Sequence, residues 1–144
     1  MILISHRGNI NNSTGKSENN PNRICSVIDM GYHVEIDVWL KAGLLFLGHD
    51  SPDYQVDLDF LKNDALWCHA KNLDALQLML KNDIHCFWHQ TDDFTLTSRG
   101  YIWTYPNKKT CAKSIIVCDS IEEVEYYSSQ DIYGICSDYV EILK

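Results

Sequence analysis

Two acidic residues, Glu35 and Asp37, occupy alternate positions in residues 33–39, where polar and apolar side chains alternate strictly. This alternation predicts a β-strand with both carboxylates on one sheet face and apolar side chains on the other. Like charges this close raise each other's pKa, whereas a divalent cation with oxygen ligands would keep both ionised. The pair therefore predicts a metal site on this face.

A histidine follows the acidic strand at the end of a predicted hairpin. Gly43 permits a tight reversal, and residues 44–47 return as a second short strand that ends at Gly48, His49 and Asp50. The return brings His49 back toward the carboxylates, where an imidazole that titrates near neutral pH can exchange protons with a substrate. Asp50 either orients that imidazole or caps the turn.

The elements that must position these residues form a strand, a helix and a second strand. An apolar strand at residues 1–5 ends at His6 and Arg7, and a helix begins at Pro21 and ends before Gly31. A right-handed crossover would place the carboxyl ends of both strands at the same sheet edge. We therefore expect His6 and Arg7 to stand beside the two carboxylates. The connecting loop, residues 9–20, is predicted to be too polar for the core.

The rest of the chain continues the alternation of strands and helices. Strands are predicted at residues 65–70, 85–89, 101–105, 114–118 and 133–137, with helices over 73–80 and 121–127. An α/β barrel normally takes about 250 residues. The 144 residues therefore predict a single domain, residues 1–144, folded as a reduced or incompletely closed TIM-type (β/α) barrel with shortened crossovers. An open parallel sheet is the alternative.

Composition limits the partners. The net charge of −8 and the absence of a Lys/Arg block argue against nucleic acid as a partner. No apolar run approaches the roughly 20 residues of a membrane helix and no leader pattern follows Met1, so we expect a cytoplasmic protein without a membrane span. The six cysteines lack metal or redox spacing. Buried free thiols are expected at Cys25, Cys68, Cys86, Cys118 and Cys136.

A homodimer is expected because so short a chain should leave apolar strand faces thinly covered. Val34, Ile36 and Val38 on the acidic strand are the main examples, with Leu66 and Cys68 on the next strand. Self-association would cover these side chains. The alternative is a closed monomeric barrel in which the short segments around residues 58–61 and 91–99 cover them. Every proposed site residue would still come from one chain.

Five short motifs occur in order within the first 50 residues. They are His6-Arg7-Gly8, Glu18-Asn19, Gly31, Glu35-Ile36-Asp37-Val38 and Gly48-His49-Asp50. Together they resemble the glycerophosphodiester phosphodiesterase family, part of the phosphatidylinositol phospholipase C-like phosphodiesterase superfamily, of which this chain would be a reduced-size member. Thinner similarity continues at Trp103-Thr104 and in residues 134–139.

The resemblance implies a fold, a cofactor and a set of roles. It implies a TIM-like barrel that binds a divalent cation, Mg²⁺ or Ca²⁺, through Glu35, Asp37 and a further carboxylate. It also implies that His6 and His49 are the acid–base pair. Arg7 would contact the substrate phosphate, and Glu18 matches a family glutamate near the metal.

The third strand departs from the family pattern. Where the family has Glu-x-Lys, this chain has His69-Ala70-Lys71. Lys71 fits a second phosphate-binding cation, and His69 would replace a carboxylate ligand and favour Mn²⁺ or Zn²⁺. His69 as a core or supporting histidine is the alternative. Trp103 is expected either to wall a substrate pocket or to pack in the core.

The expected function is hydrolysis of a small phosphodiester, glycerophosphodiester-like or sugar-linked, by a metal-dependent phosphoric diester hydrolase. Such a reaction needs cations for the charge on the phosphate, a base for the attacking hydroxyl and an acid for the leaving alkoxide. The reaction would proceed directly or through a cyclic phosphate. The alternative is a non-catalytic module that binds a phosphoryl ligand, which would need Arg7 and Lys71 but not both histidines.

Overall fold

The computed structural model describes residues 1–12 and 15–144 of the chain. These residues form ten strands, four α-helices and a C-terminal 3₁₀ helix, Val140–Leu143. The strands are β1 (Ile2–His6), β2 (His33–Lys41), β3 (Leu44–Leu47), β4 (Tyr54–Val56), β5 (Leu66–Ala70), β6 (Cys86–Phe87), β7 (Phe94–Leu96), β8 (Ile102–Thr104), β9 (Ser114–Cys118) and β10 (Gly134–Ser137). The helices are α1 (Pro21–Asp29), α2 (Leu58–Leu61), α3 (Leu73–Lys81) and α4 (Ile121–Ser128).

All ten described strands belong to one sheet. Seven of them run parallel in the order β6, β5, β2, β1, β10, β9, β8, so strands that follow one another in the parallel set are paired, with the exception of β6 and β8. β3 and β4 continue β2 as an antiparallel meander, and β7 pairs antiparallel with β8. Among the described residues no strand pairing joins β6 to β8, so pairing does not close the sheet. The predicted mixed α/β class is confirmed.

One face of the sheet carries the main core. Val34, Ile36 and Val38 of β2 are fully buried there, in one cluster with Val27 of α1 and Met79 of α3. Each fully buried aliphatic side chain contributes roughly 1.5–3 kcal/mol. The exposure that motivated the expected homodimer is therefore absent, because a single chain already covers these side chains. The homodimer stays a prediction that the structure gives no argument for.

The opposite face changes from apolar to polar along the strands. A second cluster contains Ile4, Trp67, Phe87, Trp103, Ile115 and Cys136, each from a different strand. Two residues further along β1 and β5 come His6 and His69. Because alternate residues of a strand share a face, the apolar cluster supports the polar groups at the carboxyl ends.

Several sequence predictions need correction. Residues 51–57 and 91–99, where no strand is predicted, contain β4 and β7, and the strand predicted over 85–89 is only Cys86–Phe87. β4 and β7 have only three residues each and form because they pair with antiparallel neighbours. Three residues are too few to show an alternation of polar and apolar side chains in the sequence. The structure therefore adds two antiparallel strands to the predicted set.

The cysteines are free, as predicted, and four of the five expected burials are confirmed. Cys25 is exposed, because it lies on the solvent-facing side of α1, whereas Ile24 and Val27 lie on the buried side. The polar loop was also misjudged, since Asn9, Ile10 and Asn19 are buried. Residues 13 and 14 of that loop lie outside the described residues. No helix in the described part of the chain is both long and apolar enough to cross a membrane.

Candidate functional site

The carboxyl ends of the parallel strands surround a cavity of about 300 Å³. Its lining includes seven of the residues singled out from the sequence: His6, Arg7, Glu35, His49, His69, Lys71 and Trp103. They come from β1, β2, β5 and β8 and from the turns that follow β1, β3 and β5. Asp37 is fully buried beneath them. The sheet topology therefore gathers the predicted site residues at one place.

Arg7 makes the first turn of the site. Its backbone has φ 56°, in the left-handed region that non-glycine residues rarely adopt, and its N–H donates to the carbonyl of Glu35 at 2.9 Å. This turn directs the guanidinium back over β2, where Nε lies 3.0 Å from Oδ2 of Asp37. Nη1 lies 3.4 Å from the carboxylate of Glu18. Strain of this kind is concentrated at functional sites.

His6 is held by a carboxylate at the end of the last parallel strand. Its Nδ1 lies 3.0 Å from Oδ1 of Asp138, which also accepts a hydrogen bond from the side-chain amide of Asn9 at 2.9 Å. Its Nε2 lies 3.9 Å from Oε2 of Glu35. Burial alone would lower the pKa of His6, but the hydrogen bond to Asp138 and the charge of Glu35 outweigh it and raise that pKa. Asp138 was not predicted as a site residue.

Three potential metal ligands converge on the cavity floor. Oxygen atoms of Glu35 and Asp37 and a nitrogen of His69 all lie within 4.8 Å of one another. Nδ1 of His69 is 3.1 Å from Oδ1 of Asp37 and 3.8 Å from Oε1 of Glu35. Parallel pairing sets His69 directly opposite Asp37. His69 therefore contributes a potential ligand atom to this cluster.

The tautomer of His69 follows from its second nitrogen. Nε2 lies 3.1 Å from the carbonyl oxygen of His89, which can only accept, so Nε2 carries the proton. In the neutral ring Nδ1 then presents a lone pair to carboxylate oxygens. Oδ1 of Asp37, 3.1 Å from Nδ1, is buried without a hydrogen-bond donor among the described residues, and so is Oε2 of Glu35 on the side of that carboxylate that faces His6. A cluster made only of hydrogen-bond acceptors is stabilised by a cation placed between them. The hydrogen bond from Nε2 of His69 to a backbone carbonyl is also typical of metal-binding histidines.

The two carboxylates are electrostatically unequal. Burial and the charge of Asp37 raise the pKa of Glu35. For Asp37, burial acts in the same direction, but the hydrogen bond and charge of His69 in its protonated form and the charge of the Arg7 guanidinium outweigh it and hold its pKa well below the usual range. Glu35 is thus the carboxylate whose ionised form the protein alone supports least.

Asn19, from the polar loop, clamps Asp37. Its Nδ2 donates to Oδ2 of Asp37 at 2.9 Å, and its Oδ1 accepts from the Asp37 backbone N–H at 2.9 Å. Its φ of 59° is one that asparagine tolerates better than most residues. Glu18 contacts Arg7 and, at 3.0 Å, the amide of Asn9. Glu18, the predicted supporting glutamate, therefore helps to orient the guanidinium of Arg7.

His49 reaches the cavity through the turn after β3. The carbonyl of Gly48 accepts from the indole N–H of Trp39 at 2.6 Å, and the Gly48 N–H donates to the carbonyl of Asp37 at 3.2 Å. Nδ1 of His49 lies 2.8 Å from Oδ1 of the largely exposed Asp50. Of the two predicted roles for Asp50, orientation of the imidazole is the one seen.

Lys71 and Trp103 complete the predicted set. Nζ of Lys71 lies 3.7 Å from Oδ1 of Asp37. Trp103 is 4% exposed and stacks on Phe87 with ring centroids 4.6 Å apart. Trp103 therefore packs in the apolar cluster and also lines the cavity.

Sequence reasoning missed part of the lining. His89, Gln90, Tyr105 and Val117 also line the cavity. The sequence predicts His89 and Tyr105 only as the last residues of the strands at 85–89 and 101–105. Their position at carboxyl ends of parallel strands was the available signal, since that edge is where ligands bind in such sheets.

Comparison with protein-family models, curated proteins and solved structures finds no match to this chain. The chemistry of the site therefore has to be argued from its own residues.

Proposed function

We propose that the chain is a metal-dependent phosphodiesterase that cleaves a small phosphodiester, glycerophosphodiester-like or sugar-linked. One observation carries this proposal: two histidines, two cationic side chains and a cluster of metal-ligand atoms share a single cavity. These are the groups that phosphodiester cleavage requires. The proposal agrees with the resemblance of the motifs to the glycerophosphodiester phosphodiesterase family.

The proposed metal ligands are Glu35, Asp37 and His69. The buried acceptor oxygens and the anchored imidazole fit a divalent cation with mixed oxygen and nitrogen ligands. Mg²⁺ or Ca²⁺ is implied by the family resemblance, and the imidazole shifts the preference toward Mn²⁺ or Zn²⁺. When bound, such an ion neutralises charge on the phosphate oxygens.

Arg7 and Lys71 form the proposed phosphate-binding wall. Asp37 and Glu18 hold the guanidinium in place, so it can bind phosphate oxygens without first being ordered. Lys71 adds a second positive charge from the turn after β5. Both groups bind and orient the phosphate toward the histidines.

His6 and His49 are the proposed proton carriers. Each has one ring nitrogen held by a carboxylate, Asp138 or Asp50, which leaves Nε2 to exchange a proton with the substrate. One histidine would take the proton of the attacking hydroxyl and the other would protonate the leaving alkoxide. A binding module without catalysis would need neither orientation, which favours the enzyme.

We also infer that the sheet is a reduced barrel. The parallel strands lie in chain order, and Phe87 of β6, whose edge away from β5 has no strand partner in the described sheet, stacks on Trp103 of β8. A hydrogen bond from the Ser98 N–H to the Cys86 carbonyl, 2.8 Å, crosses the same gap. These contacts support a barrel whose missing pairing is replaced by side chains and a loop.

Turnover measurements with matched histidine variants test the proposed function. Glycerophosphodiesters, sugar-linked phosphodiesters and bis(p-nitrophenyl) phosphate would be offered with Mg²⁺, Mn²⁺, Ca²⁺ or Zn²⁺. On the best substrate, His6→Asn and His49→Asn should each lower kcat by about 100-fold or more, the contribution typical of one general acid or base. Asparagine keeps a group that can bond the partner carboxylate.

His33→Asn is the control. His33 precedes the site on β2, outside the cavity lining, and its Nδ1 accepts from the Trp67 indole at 3.2 Å, a bond that asparagine can keep. Its kcat should stay within about twofold of wild type. Near wild-type turnover in both cavity variants would refute the histidine roles, and no turnover with any metal would refute the enzyme.

A further inference from the structure

Three hydrogen-bonded side chains, Asp92, His89 and Tyr105, lie at the cavity and have no part in the proposed proton transfers. Nδ1 of His89 lies 3.2 Å from Oδ2 of Asp92, and Nε2 of His89 lies 2.5 Å from the hydroxyl of Tyr105. His89 and Tyr105 both line the cavity that also holds the proposed phosphate-binding groups, Arg7 and Lys71. The arrangement ends on a hydroxyl group inside the site.

The chemistry of the partners gives these hydrogen bonds a direction. A carboxylate can only accept, so Nδ1 of His89 donates to Asp92. The remaining nitrogen of the neutral ring has a lone pair, so the Tyr105 hydroxyl donates to Nε2. With its proton used in this way, the Tyr105 oxygen offers only lone pairs to the cavity. It is therefore an acceptor that will pair with a donor on the ligand.

The acceptor is held in place by its surroundings. Oδ2 of Asp92 also accepts from the Gln90 N–H at 3.1 Å, which fixes the carboxylate although it is exposed. The Tyr105 N–H donates to the carbonyl of Asp93 at 3.1 Å. His89 is fixed in turn because its own carbonyl accepts from His69. Little ordering is left to pay for when a ligand binds.

Apart from Gln90 beside His89, the cavity lining next to Tyr105 is apolar. Phe87, Trp103 and Val117 line the cavity beside Tyr105. A ligand group that fits here has carbon atoms that pack on these side chains and a donor that reaches the Tyr105 oxygen. A hydroxylated carbon chain or ring has both properties, whereas a plain alkyl chain lacks the donor.

We propose that Tyr105 is a specificity-determining residue that accepts a hydrogen bond from a hydroxyl on the alcohol part of the substrate. Asp92 and His89 are positioning residues that keep its oxygen an acceptor. The site then prefers phosphate esters of polyols to those of simple alkanols. This inference rests on the proposed function, because it places the phosphate at Arg7 and Lys71.

Binding of two matched esters tests the inference without requiring turnover. Glycerol 3-phosphate and propyl phosphate share a three-carbon ester and differ in hydroxyl groups. Calorimetry with Mn²⁺ present should show the wild type binding glycerol 3-phosphate about tenfold or more tightly, because a polar site left unpaired rejects the analogue. Tyr105→Phe should abolish this preference and leave the affinity for propyl phosphate within about twofold.

Two further variants sharpen the test. Asp92→Ala, at an exposed position, should reduce the preference partly, because it frees His89 Nδ1 and lets the Tyr105 hydroxyl reorient. Tyr101→Phe is the control: its hydroxyl donates to that of Tyr133 at 3.0 Å, outside the cavity lining, so the preference should persist.

The outcomes separate this inference from the proposed function. Equal affinities of the wild type for both esters, or a preference that survives in Tyr105→Phe, overturns the role of Tyr105. A preference that depends on Tyr105, found in a protein that cleaves no phosphodiester, supports this role and refutes the enzyme. Absence of binding to both esters overturns the role of Tyr105, whereas the enzyme is decided separately by the turnover of phosphodiesters.

Discussion

At the scale of single residues, Glu35 is a buried carboxylate whose ionised form is poorly stabilised by the residues around it. It is 3% exposed, its Oε2 has no hydrogen-bond donor among the described residues, and the neighbouring charge of Asp37 opposes its ionisation. A buried charge without a partner lowers stability. A fold that keeps such a group gives up stability for a function, which here is the proposed metal site.

Replacing this carboxylate by its neutral isostere should separate stability from metal binding. In EDTA we expect Glu35→Gln to raise the melting temperature by a few degrees, since relief of about 1 kcal/mol has that effect in a domain of this size. In Mn²⁺ the wild type should gain stability by mass action and the variant should gain little. Thermal unfolding with and without Mn²⁺ measures both effects.

Asp59→Asn is the control for this experiment. Asp59 is an exposed carboxylate that pairs with Lys62 at 2.9 Å, away from the cavity. Its removal should leave the Mn²⁺ response unchanged. An equal Mn²⁺ response in wild type and Glu35→Gln would contradict the proposed ligand set.

At the scale of elements, the β2–β3 hairpin is what carries His49 into the site. β2 continues past its parallel neighbours, and β3 pairs back along it. The turn that follows depends on Gly48, where an added Cβ would lie 1.9 Å from the carbonyl oxygen of Ser51. That contact is with backbone and cannot be relieved by a side-chain rotation. The turn must therefore move if the glycine is replaced.

Gly48→Ala should lower kcat by at least about tenfold, because displacement of the turn moves His49 away from the substrate. Gly43→Ala in the same hairpin is the matched control. It also has a positive φ, 76°, but no atom lies within 4 Å of the added Cβ. It should cost about 1 kcal/mol of stability without affecting turnover. Equal turnover of the two variants would show that the position of His49 does not matter.

At the scale of the whole molecule, His85 helps to join the two ends of the parallel strand set. It is 4% exposed, its Nε2 lies 2.9 Å from the Thr97 hydroxyl, and its ring centroid is 4.3 Å from that of Trp67. Burial, with a smaller effect of the Arg99 charge, lowers the pKa of His85 from 6.5 to about 4. The folded protein therefore holds this imidazole neutral.

This shift predicts a loss of stability in mild acid. Because the pKa is lower in the folded state, the unfolded state binds more protons between pH 6.5 and about 4. The contribution of His85 is complete above pH 6.5 and declines through this range, by an amount on the order of 3 kcal/mol. His85→Gln keeps a hydrogen-bonding group but does not titrate.

Urea unfolding of both proteins at pH 7 and pH 4.5 measures the effect. The comparison with His85→Gln cancels the contributions of the other titrating groups, including His6, whose raised pKa acts in the opposite direction. We expect the wild type to lose more stability than the variant on acidification. An equal loss in both would show that His85 is not held neutral in the folded state.

Much of this protein was determined by local sequence. The alternation in β2, the glycine that allows the β2–β3 reversal and the apolar strands separated by helices predict the parallel strand set, and the chain order places His6, Glu35 and His49 at one sheet edge. These features are predictable because periodicity and turn chemistry depend on residues close together in the chain. The approximate position of the candidate site therefore follows from local sequence patterns alone.

Only the tertiary structure decided which groups complete the site. Asp138 meets His6 across 132 positions of the chain, because β10 returns beside β1. His69 meets Asp37 through the register of two parallel strands, and Tyr105 meets His89 across the one gap in pairing between neighbouring parallel strands of the described sheet. Such contacts depend on register, strand order and sheet curvature, which are set by packing of the whole chain and leave no periodic pattern in it.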